Sequence, residues 1–494
     1  KKTRNKKGER EILELNLKTF EYEERKKPKF KAFEAAKKAE NLKERLKILV
    51  NFNDKAGEFY RNTFYDSFRY CSFRIPEVAD EIYKIDQAIK AGFAWKTGPF
   101  ETWDMLGVEE TVKQMKELKQ TPAKWVDEML NSGAKSFYKY EKGNRLYYDI
   151  SSKKYKEIPG SKGLVILDAL KANNIVWKNT GTTLYDVGDE VLNLEFHTKM
   201  NTMGAEVIEG INKAISVAEK NYKGLVIGNE GDNFSAGANL GMLFMLAGNR
   251  EFDEINFMVQ AFQNTMMRAR YSSIPVVVAT SGLTLGGGTE LSMHADLVRA
   301  HTETYMGLVE FGVGIIPSGG GTKEMTLRTS DMYKKGDPEL NILMENFMTI
   351  ATAKVATSSR EAVGMGLLKD TDKHTLNRTS LLSEAKNDVL YLYNEGYTQK
   401  KERQNIKVQG RSGLAMFEAG ITSMLYGKYI SDHDRKIANK TAYVMCGGDL
   451  SQPGSVSEEY LLGLEREAVV SLCGEPKSLE RMHGILFKRK TIRN

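Results

Sequence analysis

From about residue 184 the chain alternates two patterns of hydrophobicity. The runs "VLNLEF", "GLVIGN" and "PVVVATSG" are short, apolar and rich in β-branched residues, as strands covered on both faces are. Between them stand "GAEVIEGINKAISVAEKN" and a longer run to residue 271, both with helical spacing. Strand and helix in alternation predict an α/β layered unit with a parallel sheet. "DLVRAHTE" continues the pattern, and this core is expected over residues 183–334.

The remaining text reads differently. With 494 residues the chain exceeds what one hydrophobic core usually serves. Residues 1–50 start with an alternating, extended "REILELNLKTFEYE" and pass into an Ala-, Leu- and Lys-rich helical stretch, together too thin for a separate core. Residues 51–135 are helical in pattern, with Phe59, Thr63, Phe64, Phe68 and Cys71 spaced as one stripe. A connecting segment of short strands and loops is expected over 136–182, and a mainly helical region over 335–494. The first residue is not Met, so a region upstream of it is expected.

Several classes are disfavoured by composition. No apolar run approaches the roughly 18 residues needed to span a bilayer, and "KKTRNKKGER" has no secretory signal. The cysteines, Cys71, Cys446 and Cys473, lack metal or redox spacing, which suits the cytoplasm, and the scattered histidines predict no metal site. The net charge of +7 is local: residues 1–50 hold 17 Lys or Arg against 9 Asp or Glu, leaving 55 against 56 elsewhere. That is a solvated basic face rather than a nucleic-acid surface.

Two glycine-bearing loops follow predicted strands. "NEGDNFSAGANL" carries Ala238 as a candidate backbone donor, and "TLGGGTE" places Gly286, Gly287 and Gly288 at a helix start, where N–H groups lack intrahelical partners. Two such N–H groups, from Ala238 and Gly287, are able to bind a carbonyl oxygen that becomes negative during reaction. Glu290 would rise from the first turn of that helix, and Glu310 in "GLVEFGVGII" would return after one strand, so two carboxylates flank the same spot and hold water. Taken singly, each element has a bland reading: glycines serve turns, and helix starts favour Glu. Their joint order raises the catalytic reading. Lys199, Lys323 and Arg328 are weak candidates for binding an anion, and His294 and His301 read as core or helix-face residues.

The blocks "KGLVIGNEGDNFSAGANL", "IPVVVATSGLTLGGGTELSMHADLV" and "TYMGLVEFGVGIIPSGGGTKEM" resemble the signatures of the crotonase superfamily, specifically enoyl-CoA hydratases. The resemblance covers about residues 185–330. It implies a ββα spiral in which the Ala238 and Gly287 amides bind an acyl-CoA thioester oxygen and stabilise an enolate. Ala236, Gly237, Gly286 and Gly288 are then substrate-binding, Glu290 activates water, and Glu310 delivers a proton to the α-carbon. Asn239 stands where most members have Asp.

Upstream, "RIPEVADEIYKIDQAIKAGFAWKTGPFETWDMLG" resembles the all-α C-terminal domain of 3-hydroxyacyl-CoA dehydrogenases, mainly around Asp86, Gly92, Gly98, Pro99 and Phe100. This implies the C-terminal part of a bifunctional dehydrogenase/hydratase of fatty-acid β-oxidation. No GxGxxG follows a strand, so NAD is expected only on an upstream domain, with no cofactor here beyond the CoA of the substrate. An acyl-CoA substrate and a homo-oligomer fit the resemblance. Within the family, Δ3,Δ2-enoyl-CoA isomerisation competes with hydration, and outside it a non-catalytic assembly module.

Overall fold

The extended start forms an antiparallel meander, β1 (Lys2–Arg4), β2 (Arg10–Leu15) and β3 (Tyr22–Glu24), in a computed structural model that describes residues 2–4, 10–25, 28–39, 41–141, 143–171 and 173–494. The chain divides into two compact units, Lys1–Lys162 and Gly163–Asn494. In the first, α1 (Lys31–Ala36) and α2 (Leu42–Asn51) pack Ala32, Ala36 and Leu49 on Ala56. Then follow α3 (Lys55–Phe73), α4 (Ile82–Phe93), α5 (Pro99–Leu106), α6 (Val108–Glu117) and α7 (Lys124–Asn131).

The stripe expected on α3 is corrected at its start. Phe59 and Thr63 face solvent, whereas Tyr65, Phe68 and Cys71 are buried. The small residues Ala56 and Gly57 take the inward face of the first turn, and a Cβ on Gly57 would lie 1.9 Å from the Phe52 carbonyl oxygen. Close approach of backbone therefore decides the face there, and aromatic spacing decides it further on, where Phe68 stacks on Trp103 at 5.0 Å.

The first unit is not all-α. A sheet of β4 (Tyr138–Glu141), β5 (Asn144–Asp149) and β6 (Lys154–Glu157) contributes Tyr138, Tyr147 and Tyr148 to the same core as Phe68, Phe100 and Trp103. The segment 136–182 thus splits, its tyrosine-rich first half belonging to this unit. Asp86 of α4 accepts from the Phe100 N–H (2.9 Å), the Glu101 N–H (3.1 Å) and the Tyr138 hydroxyl (2.7 Å), capping α5 from outside. A Cβ on Gly98 would lie 2.3 Å from Asp86 Oδ1, so that glycine is required by the cap.

The second unit starts with α8 (Leu167–Leu170), β7 (Ile175–Lys178), β8 (Thr182–Asp186) and β9 (Val191–Phe196). It continues through α9 (Ala205–Asn221), β10 (Gly224–Gly228), α10 (Leu240–Asn249), α11 (Phe252–Arg270), β11 (Val276–Leu285), α12 (Gly287–His294), β12 (Leu297–Gly307) and α13 (Gly321–Met332). Next come α14 (Glu339–Ala351), α15 (Ser359–Gly364), β13 (Lys373–Thr375), α16 (Leu381–Asn394), β14 (Ile406–Val408), α17 (Gly410–Tyr426), α18 (Asp432–Met445), β15 (Gly454–Val456), α19 (Glu458–Cys473) and α20 (Pro476–His483).

Seven strands form one sheet in the order β13-β12-β11-β10-β9-β8-β7, parallel from β9 to β13 and antiparallel at β7 and β8. Alternate residues serve opposite faces. Leu225, Val276 and Val278 join one core with α9 and α11, while Val226, Val277 and Ala279 face Leu381, Leu382 and Val389 of α16. Phe417, Ile437, Leu461, Val469 and Met482 belong to the first of these cores, so the helical region after 335 is continuous with the α/β layer. Among the described residues no helix is long and apolar enough to cross a membrane.

Candidate active site

The loop after β10 returns along β11, with Ser235 N donating to Leu283 O (3.0 Å) and Leu285 N to Ser235 O (2.9 Å). Gly237 adopts φ +101°, a conformation that favours glycine, and turns the next amide outward. The Ala238 N–H and the Gly287 N–H, the latter at the first position of α12, have no partner among the described residues. Both border one small hollow. A Cβ on Gly287 would stand 3.4 Å from Ala238 N, and one on Gly237 would stand 3.6 Å from Gly287 N.

The same point lies 2.7 Å from Phe262 Cζ and 3.4 Å from Met203 Sδ, so a side chain at 287 would fill the hollow and block it. Gly288 behaves otherwise: a Cβ there would lie 2.8 Å from Ser235 Cβ, so this glycine allows α12 to pack on the loop instead of lining the hollow. Ala236 is half-buried and donates its amide to Met200 O (3.1 Å). Asn239 caps α10, accepting from Met242 N at 3.3 Å, a role that needs an oxygen and no charge.

Glu290 lies on the first turn of α12 and is buried. Its Oε1 accepts from Gly319 N (2.8 Å) and Gly321 N (2.9 Å), which makes the "SGGGT" run a carboxylate cradle. Glu310 opens a single 3₁₀ turn, Glu310–Val313. Its Oε1 would lie 3.0 Å from a Cβ on Gly286, so the bare α-carbon of that glycine gives the acid its place beside the triplet. Glu310 Oε2 is buried and has no hydrogen-bond partner among the described residues.

Burial raises the Glu290 carboxyl to about 7, against the pull of the two amides and Lys323. Burial, followed by the charge of Glu290, holds Glu310 well above the usual carboxylate range. With these unequal surroundings, Glu290 gives up its proton at a lower pH than Glu310.

Beneath them lies a polar network that the sequence reading did not find. Glu465 of α19 accepts from Gly320 N (2.9 Å), from Lys323 N and from Gln263 Nε2 (3.2 Å). Lys323 is buried, its Nζ donating to His294 Nε2 (2.9 Å), Glu324 (3.2 Å) and Glu458 (2.9 Å). His294 Nδ1 contacts the Glu290 carbonyl oxygen at 2.7 Å, which fixes the proton on Nδ1 and leaves Nε2 to accept from Lys323. Arg328 is held by Glu324 and by the carbonyls of Gly366, Leu367 and Met293. Lys323 and Arg328 are thus committed internally and do not present a charge to an anion. The turn of Glu310 is tied to α20, where Ser478 Oγ donates to Gly314 O (2.6 Å) and Arg481 Nη1 to Phe311 O (3.3 Å).

The parallel sheet, the paired amides and the two acids define a crotonase-type α/β unit. Residues 188–332 match the model of the enoyl-CoA hydratase/isomerase family. Over 490 residues the chain is 43% identical to "Probable 3-hydroxyacyl-CoA dehydrogenase" of Bacillus subtilis, covering 99% of this chain and 61% of that protein. It is 26% identical over 433 residues, 87% of this chain and 53% of the other, to a Rickettsia felis protein whose name includes "fatty acid oxidation complex trifunctional enzyme". The chain therefore spans 53% to 61% of the length of these relatives. A crystal structure of enoyl-CoA hydratase from Bacillus halodurans aligns over 62% of this chain and 100% of its own, with 16% identity and a TM-score of 0.42.

Proposed function

We propose that the chain adds water to a trans-2-enoyl-CoA, giving the 3-hydroxyacyl-CoA, as one step of fatty-acid β-oxidation. The observation that carries this reading is the approach of the Ala238 and Gly287 amides, neither with a partner among the described residues, with Glu310 against Gly286 and Glu290 on the same helical turn as Gly287. A thioester oxygen seated there takes two N–H bonds that strengthen as negative charge develops on it.

Water adds to the β-carbon while the Glu290 carboxylate accepts its proton. The enolate electrons then form the C–H bond at the α-carbon with the proton of Glu310. Product release leaves Glu290 protonated and Glu310 ionised, and the difference in proton affinity returns the proton to Glu310 for the next turnover. Hydration requires Glu290 ionised and Glu310 protonated, so its rate follows a bell whose acid limb lies near pH 7.

The test is the loss of ultraviolet absorbance of crotonyl-CoA. Glu290→Gln and Glu310→Gln should each lower kcat about 10³-fold, within the range for general acid–base groups. Parental rates in both variants would overturn the reading. Isomerisation of Δ3 substrates needs the amides and one proton carrier, and Glu310, with its free carboxyl oxygen, suits that role. Retained isomerase activity in Glu290→Gln is the result that would favour it, and no turnover in the parent would favour an assembly module.

For Lys1–Lys162 the reading is the C-terminal, cleft-completing domain of a 3-hydroxyacyl-CoA dehydrogenase, supported by the resemblance around Asp86 and the name of the Bacillus subtilis relative. Hydride transfer by this chain alone is not expected, and NADH formation from 3-hydroxybutyryl-CoA and NAD checks it.

A further inference from the structure

The glycine run beneath the acids serves two carboxylates at once. Along it the amides alternate, those of Gly319 and Gly321 donating to Glu290, those of Gly320 and Lys323 to Glu465. Glu465 sits on α19, 145 residues from Gly320, and is fully buried. Its oxygens accept from two backbone amides and Gln263 Nε2, and burial, followed by the charge of Glu290, pushes its carboxyl up to about 8. Gly320 holds φ +100° with His294 against it, so the loop has little freedom other than the one these bonds define.

We propose that Glu465 is a positioning residue for the hydration reaction, holding the Gly319–Gly321 cradle in register under Glu290. The proposal rests on the hydratase reading for its meaning in catalysis, though not for its geometry. The charged groups that act on or with Glu465 are Glu290 on α12, Lys323 on α13 and Glu310 on its 3₁₀ turn.

The test reads Glu290 itself. The protein labelled with ¹³C at glutamate carboxyls is titrated by NMR, with the Glu290 signal assigned from Glu290→Gln. In Glu465→Gln one acceptor oxygen is lost at nearly constant shape, so the cradle slackens, the two glycine amides pull less on the Glu290 carboxyl, and its midpoint is expected to rise by about one pH unit. In Glu465→Asp the reach shortens, so amide hydrogen exchange of the peptide spanning 319–323 should accelerate at least about tenfold.

An unmoved midpoint in a folded Glu465→Gln, or unchanged exchange in Glu465→Asp, overturns the positioning role. Crotonyl-CoA turnover by the parent is measured beside them. A parent that does not hydrate while the midpoint moves removes the hydratase reading and leaves Glu465 standing. An active parent with an unmoved midpoint and unchanged exchange does the reverse.

Discussion

Glu290 is an acid kept in an environment that favours its neutral form. Its ordinary value in an unfolded chain lies near 4.3, and in the native protein it is about 7. Between these values the native state binds more protons than the unfolded state, so the contribution of Glu290 to stability is present at low pH and is lost as pH rises through 7. Glu290→Gln keeps an oxygen for the two glycine amides and has no proton to lose. It should therefore be more stable than the parent at pH 8, by about 3–4 kcal/mol from a shift of this size, with the gap narrowing to about 1 kcal/mol at pH 5. Thermal melts at both values check this, and an equal gap at both would count against it. Gly287 shows the opposite economy of atoms: any side chain there meets Phe262, so Gly287→Ala should cut kcat about 10²-fold or more by filling the hollow, with little change in the urea midpoint.

Elements differ in how far the sequence disclosed them. Strands β9 to β12 and helices α9 and α12 were legible, because their burial pattern is local and periodic. The placing of Ala238, Gly287, Glu290 and Glu310 was legible too, through two glycine loops that follow strands. The role of α19 was not. Glu465 in "LLGLEREAVV" looks like any solvated helix glutamate, and only its approach to Gly320 across 145 residues gives it another meaning. The short strands in "FYKY" and "NRLYYDI" were legible, but not that their tyrosines cover the helical core of the first unit, because the core a side chain joins is set by packing across long stretches of chain. The turn into α5 makes its own prediction. Gly98→Ala would press on Asp86, displacing the cap, and should lower the unfolding free energy by about 2 kcal/mol or more, read from the urea midpoint.

At the level of the complete chain, each unit has its own buried core. A fragment of residues 163–494 is expected to unfold cooperatively by itself, whereas one of residues 163–334 lacks Phe417, Ile437, Leu461, Val469 and Met482 from its core and should not. Circular dichroism in urea distinguishes the two. The same long-range stitching bears on how the molecule is made. α19 and α20 follow the sheet in the chain, yet they secure the cradle of Glu290 and the turn of Glu310. A ribosome that has already released every strand of the sheet still carries a nascent polypeptide whose two acids lack their supports, and these arrive only when α19 and α20 leave the exit tunnel.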